Sequence, residues 1–393
     1  MEMTLGLARD LSYVGVNDRT TPLFENLFPI PKGVSYNSYL LTDEKTVLLD
    51  TVDASGKKQF LENLAFRLGD RTLDYLIISH MEPDHCATIQ DILALYPEIT
   101  LVGNAKTFGL LHRFFSLSPK ELVVEDGDVL DTGSHILRFM MAPMVHWPEV
   151  MVTYDETEKI LFSADAFGTF GAVDGSILAD RHDYEREFLA EARRYFTNIV
   201  GKYGAQAAAL LEKAQTLPLM MVCPLHGPVL QKDIGLLLQK QLLWSNYEPE
   251  FPEDFLIVYA SMYGNTESIA NAVAVRIGEE GLPVRVINIC NTDKSHAIAE
   301  MFRVAHIILA CPTYNGGIFP AMEALLLDMK ALNLQNRTVN LIENGSWAPT
   351  AGRKMQEILS TMKNITQNVT LTIPSALRDE EQVEHFITNL IQL

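Results

Sequence analysis

Tyr75-Leu76-Ile77-Ile78-Ser79-His80-Met81-Glu82-Pro83-Asp84-His85 runs from an apolar stretch into four side chains able to ligate a metal, His80, Glu82, Asp84 and His85, within six residues. The apolar run reads as a buried strand, which sets the four at its carboxyl end, with Pro83 stiffening the turn between them. A lone histidine or aspartate at a strand end is usually structural; four together have the density of a metal site. Three further candidates stand the same way: His146 after the strand-like run 136–141, Asp165 after 160–163, and His226 after 219–222. If those strands lie side by side, all seven side chains converge on one edge of the fold. The scheme uses four of the 10 histidines, and His112, His135, His182, His296, His306 and His385 read as surface or packing residues. Trp147, beside His146, reads equally as a pocket wall or as packing.

Around this stretch, β-rich runs at 46–49, 75–79, 100–102, 136–141, 150–154, 160–163 and 219–222 mix with helical patterns at 57–68, 184–200 and 205–215. Such a mixture implies sheets with helices packed outside. Asn246-Tyr247-Glu248-Pro249-Glu250-Phe251-Pro252-Glu253-Asp254, with two prolines and four acids, reads as an extended linker. It divides the chain into an expected domain over 1–250 and another over 254–393. Beyond it, strands at 255–260, 284–289, 306–310, 338–343 and 369–373 alternate with helices at 267–280, 296–302, 321–330, 353–363 and 380–392. Strict alternation predicts an α/β domain with a doubly wound parallel sheet, because parallel strands need crossover connections. Ligands on such a sheet sit at the carboxyl ends of the strands.

Three segments fall at those ends. Ser261-Met262-Tyr263-Gly264-Asn265-Thr266 lies between a strand and a helix and can wrap a phosphate with backbone N–H groups and the helix N-terminus. Pro312-Thr313-Tyr314-Asn315-Gly316-Gly317 and Asn344-Gly345-Ser346-Trp347 add amides and aromatics where a flat ring system would lie; the competing role for Tyr314 and Trp347 is to cap these loops. There is no GxxxxGK[ST] lysine for a nucleoside triphosphate and no GxGxxG for a nicotinamide dinucleotide. A flavin with one phosphate, FMN, fits best.

Composition narrows the partners. A net charge of −19 disfavours nucleic acid and an anionic membrane surface, and no apolar run approaches a membrane span. Cys86, Cys223, Cys290 and Cys311 form no CxxC pair, so no rubredoxin iron is expected within the chain. Residues 1–4 do not open a secretory signal, and a reducing, cytoplasmic setting is expected.

The HxExDH string of residues 80–85, followed by His146, Asp165 and His226, resembles the metal signature of the metallo-β-lactamase superfamily as it occurs in flavodiiron proteins, and the loop at 261–266 resembles the phosphate loop of flavodoxins. Hydrolases of that superfamily usually carry HxHxDH and often hold zinc. Glu82 in place of the second histidine adds a hard anionic oxygen that suits iron or manganese. The resemblance covers nearly the whole chain. It implies an N-terminal metallo-β-lactamase-like αββα sandwich with two irons: His80, Glu82 and His146 on one, Asp84, His85 and His226 on the other, Asp165 bridging. It implies a C-terminal flavodoxin-like domain with FMN. Three carboxylates and one hydroxide would neutralise two ferrous ions, easing burial of the centre. The resemblance further implies reduction of dioxygen to water, of nitric oxide to nitrous oxide, or of both, electrons from a separate donor such as rubredoxin or another reductase, and a head-to-tail homodimer or dimer of dimers. The alternative is a zinc hydrolase fused to a flavodoxin-like domain.

Overall fold

The computed structural model describes residues 5–378 and 380–391; residues 1–4 and Gln392, on which the expectations for the N-terminus and the last helix partly fell, lie outside them. The chain forms two compact units, Met1–Phe196 with Ala205–Leu242, and Thr197–Gly204 with Leu243–Leu393. The division falls inside the helix Ile234–Ser245, ahead of the proline-bearing segment. Residues 197–204 count with the second unit, where the Tyr247 hydroxyl donates to Gly201 O at 2.8 Å.

The first unit holds two sheets. One orders its strands Leu5–Gly6, Leu11–Tyr13, Tyr39–Thr42, Thr46–Leu49, Tyr75–Ile77, Thr100–Gly103 and Lys120–Val123, the last four parallel to one another. The other runs Val129–Asp131, Ile136–Met141, Met151–Asp155, Ile160–Phe162 and Met221–Cys223. All four residues of Thr46–Leu49 are buried, as expected of a strand inside a covered sheet. Tyr39 of the first sheet meets Phe162 of the second with ring centroids 5.5 Å apart. Helices such as Lys57–Leu68 and Ala105–Phe114 turn Phe60, Leu64, Phe108 and Leu111 inward. The expected helix over 184–200 is broken into Tyr184–Glu187, Leu189–Tyr195 and a π-helical turn Phe196–Val200. Such a turn shifts the facing of side chains by one residue, and here Tyr195 and Phe196 are both buried.

The second unit has parallel strands in the spatial order Val284–Asn288, Phe251–Tyr259, Val304–Tyr314, Arg337–Asn344, Ile365–Ile373, which is 2-1-3-4-5 in chain order. Every expected strand and helix of this half is present, as a doubly wound α/β sheet. Residues 251–254, expected in the linker, already belong to the first strand. Its pairing with Val304–Tyr314 shifts register between Phe251 and Phe255, across Pro252, which has no N–H for the ladder. Ile269, Val273 and Ile277 of one helix and Val383, Phe386 and Ile387 of another fill one core against the sheet. The chain order reverses between the strands Phe251–Tyr259 and Val304–Tyr314, opening a crevice at their carboxyl ends.

Candidate functional site

In the first unit, the strands Tyr75–Ile77, Ile136–Met141, Ile160–Phe162 and Met221–Cys223 each lead into a segment that carries one or more of the seven candidate ligands, with Asp84 and His85 on the one-turn helix Pro83–Cys86. These loops are conformationally costly. Met144, Ala164 and Phe167, flanking His146 and Asp165, all adopt positive φ (66°, 50° and 67°), a region that non-glycine residues seldom occupy without surrounding support. After His226, Gly227 takes φ 83°, and a Cβ there would stand 2.2 Å from Thr169 Cγ2.

The seven side chains gather into two adjoining groups. His80, Glu82, His146 and Asp165 form one; Asp84, His85 and His226 form the other. Glu82 Oε2 lies 3.2 Å from His80 Nε2 and 3.0 Å from His146 Nε2. Asp84 Oδ2 lies 3.3 Å from both His85 Nε2 and His226 Nε2, which are themselves 3.1 Å apart. Asp165, 1 % exposed, turns Oδ2 to the first group, 3.4 Å from His80 and His146, and Oδ1 to the second, 3.5 Å from His85 and His226. Ligand atoms held by bonds of about 2.1 Å lie roughly 3.0–3.4 Å from one another, so these separations suit donors gathered round a cation.

Electrostatics point the same way. Burial works against a charge on Asp165, yet the imidazoles of His146 and His85 beside it hold it well below the usual carboxylate range. Burial likewise opposes protonation of His146, but Asp165 and Glu82 push it up to about 9. Both oxygens of Asp84 and of Asp165 are buried without a hydrogen-bond partner among the described residues. A cage of imidazoles and carboxylates with orphaned oxygens fits a pair of divalent cations, and its mixed N/O donors suit iron.

Several residues that sequence reasoning did not single out complete the surroundings. Glu149, after Pro148, is buried and takes hydrogen bonds from His80 Nδ1 at 2.7 Å and Met81 N at 3.0 Å. Burial opposes its charge, but the His80 hydrogen bond leads the contacts that keep its carboxyl below the ordinary range. Phe24, Tyr36 and Tyr195 surround His226 with centroid distances of 5.3, 5.7 and 5.4 Å. A cavity of about 400 Å³ opens on Glu82 and Asp84, with Glu25 and Phe24 in its wall. There burial, and then Glu82, push the Glu25 carboxyl up to about 8. Trp147 packs edge-on to His80, ring centroids 5.2 Å apart. Of the histidines read as packing residues, His135 is buried against Asp155 Oδ2 at 2.7 Å.

In the second unit, a cavity of about 360 Å³ occupies the crevice of the sheet. Of the sixteen residues expected around a flavin, Ser261, Met262, Tyr263, Asn265, Thr266, Pro312, Thr313, Tyr314, Asn315, Asn344, Gly345, Ser346 and Trp347 line it. Gly264, Gly316 and Gly317 are not among the lining residues. Gly264, at φ 90°, is the N-cap of the helix Asn265–Glu279 and donates its N–H to Ser261 Oγ at 3.1 Å. Thr313 Oγ1 is engaged by the N–H groups of Thr350 and Ala351 at 2.9 and 3.1 Å, so that loop is tied to the start of the helix Ala351–Leu359. Tyr263 and Trp347 are 90 % and 75 % exposed, forming an aromatic rim. Tyr314 and Trp347, for which loop capping is the competing role, both line the cavity. Among the described residues no lysine or arginine lines the cavity, leaving peptide N–H groups, amides and hydroxyls to meet a phosphate.

Comparison with known proteins matches both halves. A family model described as ODP family beta lactamase covers residues 34–227, and the Flavodoxin model covers residues 257–387. An anaerobic nitric oxide reductase flavorubredoxin of Pectobacterium atrosepticum is 30% identical over 366 residues, 90% of this chain and 70% of the relative. The structure of rubredoxin oxygen:oxidoreductase from Desulfovibrio gigas superposes with a TM-score of 0.91 at 25% identity, covering 98% of this chain and 96% of that one. A flavodiiron protein of Giardia intestinalis gives 0.91 at 24% identity over 100% and 96% of the two chains, a likeness of fold.

Proposed function

Because the chain belongs to the flavodiiron protein family, we propose that it reduces nitric oxide to nitrous oxide, dioxygen to water, or both, at a pair of irons held by His80, Glu82, Asp84, His85, His146, Asp165 and His226. The family's cofactors, FMN and two irons, supply the electrons and the open coordination positions. The observation that carries this reading is the division of Asp165 between the two groups, one oxygen to each.

Each residue has a part in the scheme. Asp165 fixes the spacing of the two positions, Glu82 and Asp84 add one anion to each, and the four imidazoles complete the donors. The Phe24, Tyr36 and Tyr195 rings keep bulk water from the His226 side, which strengthens every charge interaction within. Glu25 stands where a proton can be held at the mouth of the substrate cavity. In the FMN part, Ser261, Asn265 and Thr266 with the helix N-terminus receive the phosphate, and Tyr314 and Trp347 flank the ring system. We assign the irons to the domain expected over 1–250 and FMN to the one expected over 254–393, with residues 197–204 and 243–250 packing in the second unit.

No helix among the described residues is long and apolar enough to cross a membrane. Three of the four free cysteines are buried and one is exposed, consistent with a reducing cytoplasm. We take the donor to be a separate rubredoxin or reductase, and the working unit to be a head-to-tail homodimer or a dimer of dimers in which a second copy covers the exposed aromatic rim at Tyr263 and Trp347.

The test uses Glu82→Ala. The variant should bind FMN and accept electrons from an external reductant, yet lose rapid reoxidation by nitric oxide, and it should give peroxide from dioxygen where the parent gives water. Parent-like consumption of nitric oxide by Glu82→Ala would overturn the reading. Protein from iron-replete cells that holds only zinc and stays inactive after iron reconstitution would favour the hydrolase alternative.

A further inference from the structure

Behind the seven candidate ligands the support is uneven. His80 Nδ1 meets the carboxylate of Glu149 at 2.7 Å, a residue 1 % exposed. His226 Nδ1 meets only a neutral group, the carbonyl oxygen of Ser35, at 2.8 Å. His85 Nδ1 is buried with no hydrogen-bond partner among the described residues. Glu149 is itself held in place: Asn104 Nδ2 donates to its carbonyl at 2.6 Å, while Asn104 Oδ1 caps the helix Ala105–Phe114 through the N–H groups of Lys106 and Thr107. The same Glu149 oxygen accepts the Met81 N–H at 3.0 Å, and a backbone N–H can only donate. Glu149 Oε1 is therefore an acceptor, and the proton on the facing edge of His80 sits on Nδ1. That leaves His80 Nε2, on the side of Glu82 and Asp165, as the nitrogen that would face a cation.

We propose that Glu149 is a positioning residue that makes the two metal positions unequal, so that the position of His80, Glu82 and His146 binds a divalent metal more tightly than that of Asp84, His85 and His226. The inference rests on the two-metal reading above. Its physical basis is that a carboxylate behind a ligating imidazole fixes ring and tautomer, and raises the basicity of the distal nitrogen. It also puts an anion in direct hydrogen-bond contact with a ligand of the first position, whereas among the described residues no carboxylate bonds the Nδ1 of His85 or His226. A carbonyl oxygen orients His226 in the same manner without adding a charge.

The test is anaerobic calorimetric titration of the full FMN-loaded chain, stripped of iron, with ferrous ion. The parent should take up two ions in two resolved steps. Glu149→Gln keeps the size and an acceptor oxygen for Met81 N–H but removes the charge, so a merely structural role would leave the titration unmoved. On our proposal it weakens the tighter step about ten- to a hundredfold and the second by less than about twofold, bringing the steps together. Asp84→Asn serves as the marker of the other position and should weaken the looser step alone. The proposal is overturned if Glu149→Gln leaves both steps unchanged, weakens them alike, or weakens only the looser one, and equally if Asp84→Asn weakens the tighter one. A parent that binds fewer than two ions would overturn the two-metal reading together with this one, whereas a two-step parent with an unaltered Glu149→Gln titration would overturn this one alone.

Discussion

Asp165 is the residue on which the pairing of the two groups turns, since each of its oxygens serves a different one. Asp165→Asn preserves shape but replaces one oxygen with an amide that cannot bridge. Iron content, by elemental analysis, should fall from two towards one or none per chain, with nitric oxide turnover lost in parallel; full occupancy would show that no bridge exists. Gly227 constrains the neighbouring ligand in another way, through its positive φ and the mere 2.2 Å that would separate a Cβ from Thr169 Cγ2. Gly227→Ala should cost roughly 1–3 kcal/mol in urea unfolding and displace His226, lowering metal retention as well. The gathering of the seven candidate ligands was legible in the sequence because four of them crowd into residues 80–85 and the others follow strand-like runs. Glu149 and Tyr195 were not, because a single glutamate after Pro148 and a tyrosine within a helical pattern carry no spacing signal; only the folded chain brings them to His80 and His226.

His135, at the head of the strand Ile136–Met141, links elements far apart in the chain. Its Nδ1 meets Asp155 Oδ2 at 2.7 Å, its Nε2 lies 3.5 Å from Asp10 Oδ2, and Asp43 accepts its backbone N–H at 3.1 Å. Burial lowers its affinity for a proton, but Asp155, Asp10 and Asp43 together leave it raised above the ordinary value. A pKa raised on folding contributes stability that is fully present below the unfolded value of about 6.5 and is lost as pH climbs through the folded value. The urea midpoint of the parent should therefore exceed that of His135→Gln most at low pH, and the gap should narrow as pH rises above about 6.5; a gap that widens with pH would refute the assignment. Elements were legible where periodicity had room to show itself. The second unit follows the expected alternation strand for strand, whereas strands of two to four residues such as Leu5–Gly6 and Leu11–Tyr13 are too short to establish a period. The helical pattern over 184–200 hid a π-helical turn because one inserted residue leaves composition unchanged.

At the scale of the molecule, each compact unit carries one site at the carboxyl ends of its strands, and the fold class of both was legible from the order of their elements. The point of division was not. Prolines at 249 and 252 suggest a break after the helix Ile234–Ser245, but packing ends the first unit within that helix, and residues 197–204 are joined to the second unit through Tyr247. The cavity of the second unit has no cationic side chain in its lining, and the chain as a whole carries a net charge of −19. A phosphate dianion held there meets dipoles, whose grip salt hardly screens, while the surrounding anionic field that opposes its entry is screened. Raising ionic strength from about 0.05 to about 0.5 M should therefore leave FMN affinity unchanged or improve it, as read by quenching of flavin fluorescence. A loss of about tenfold would mean that a cation outside this lining holds the phosphate. Flavin retention in this chain would then be set by peptide geometry and not weakened by the saltiness of its surroundings.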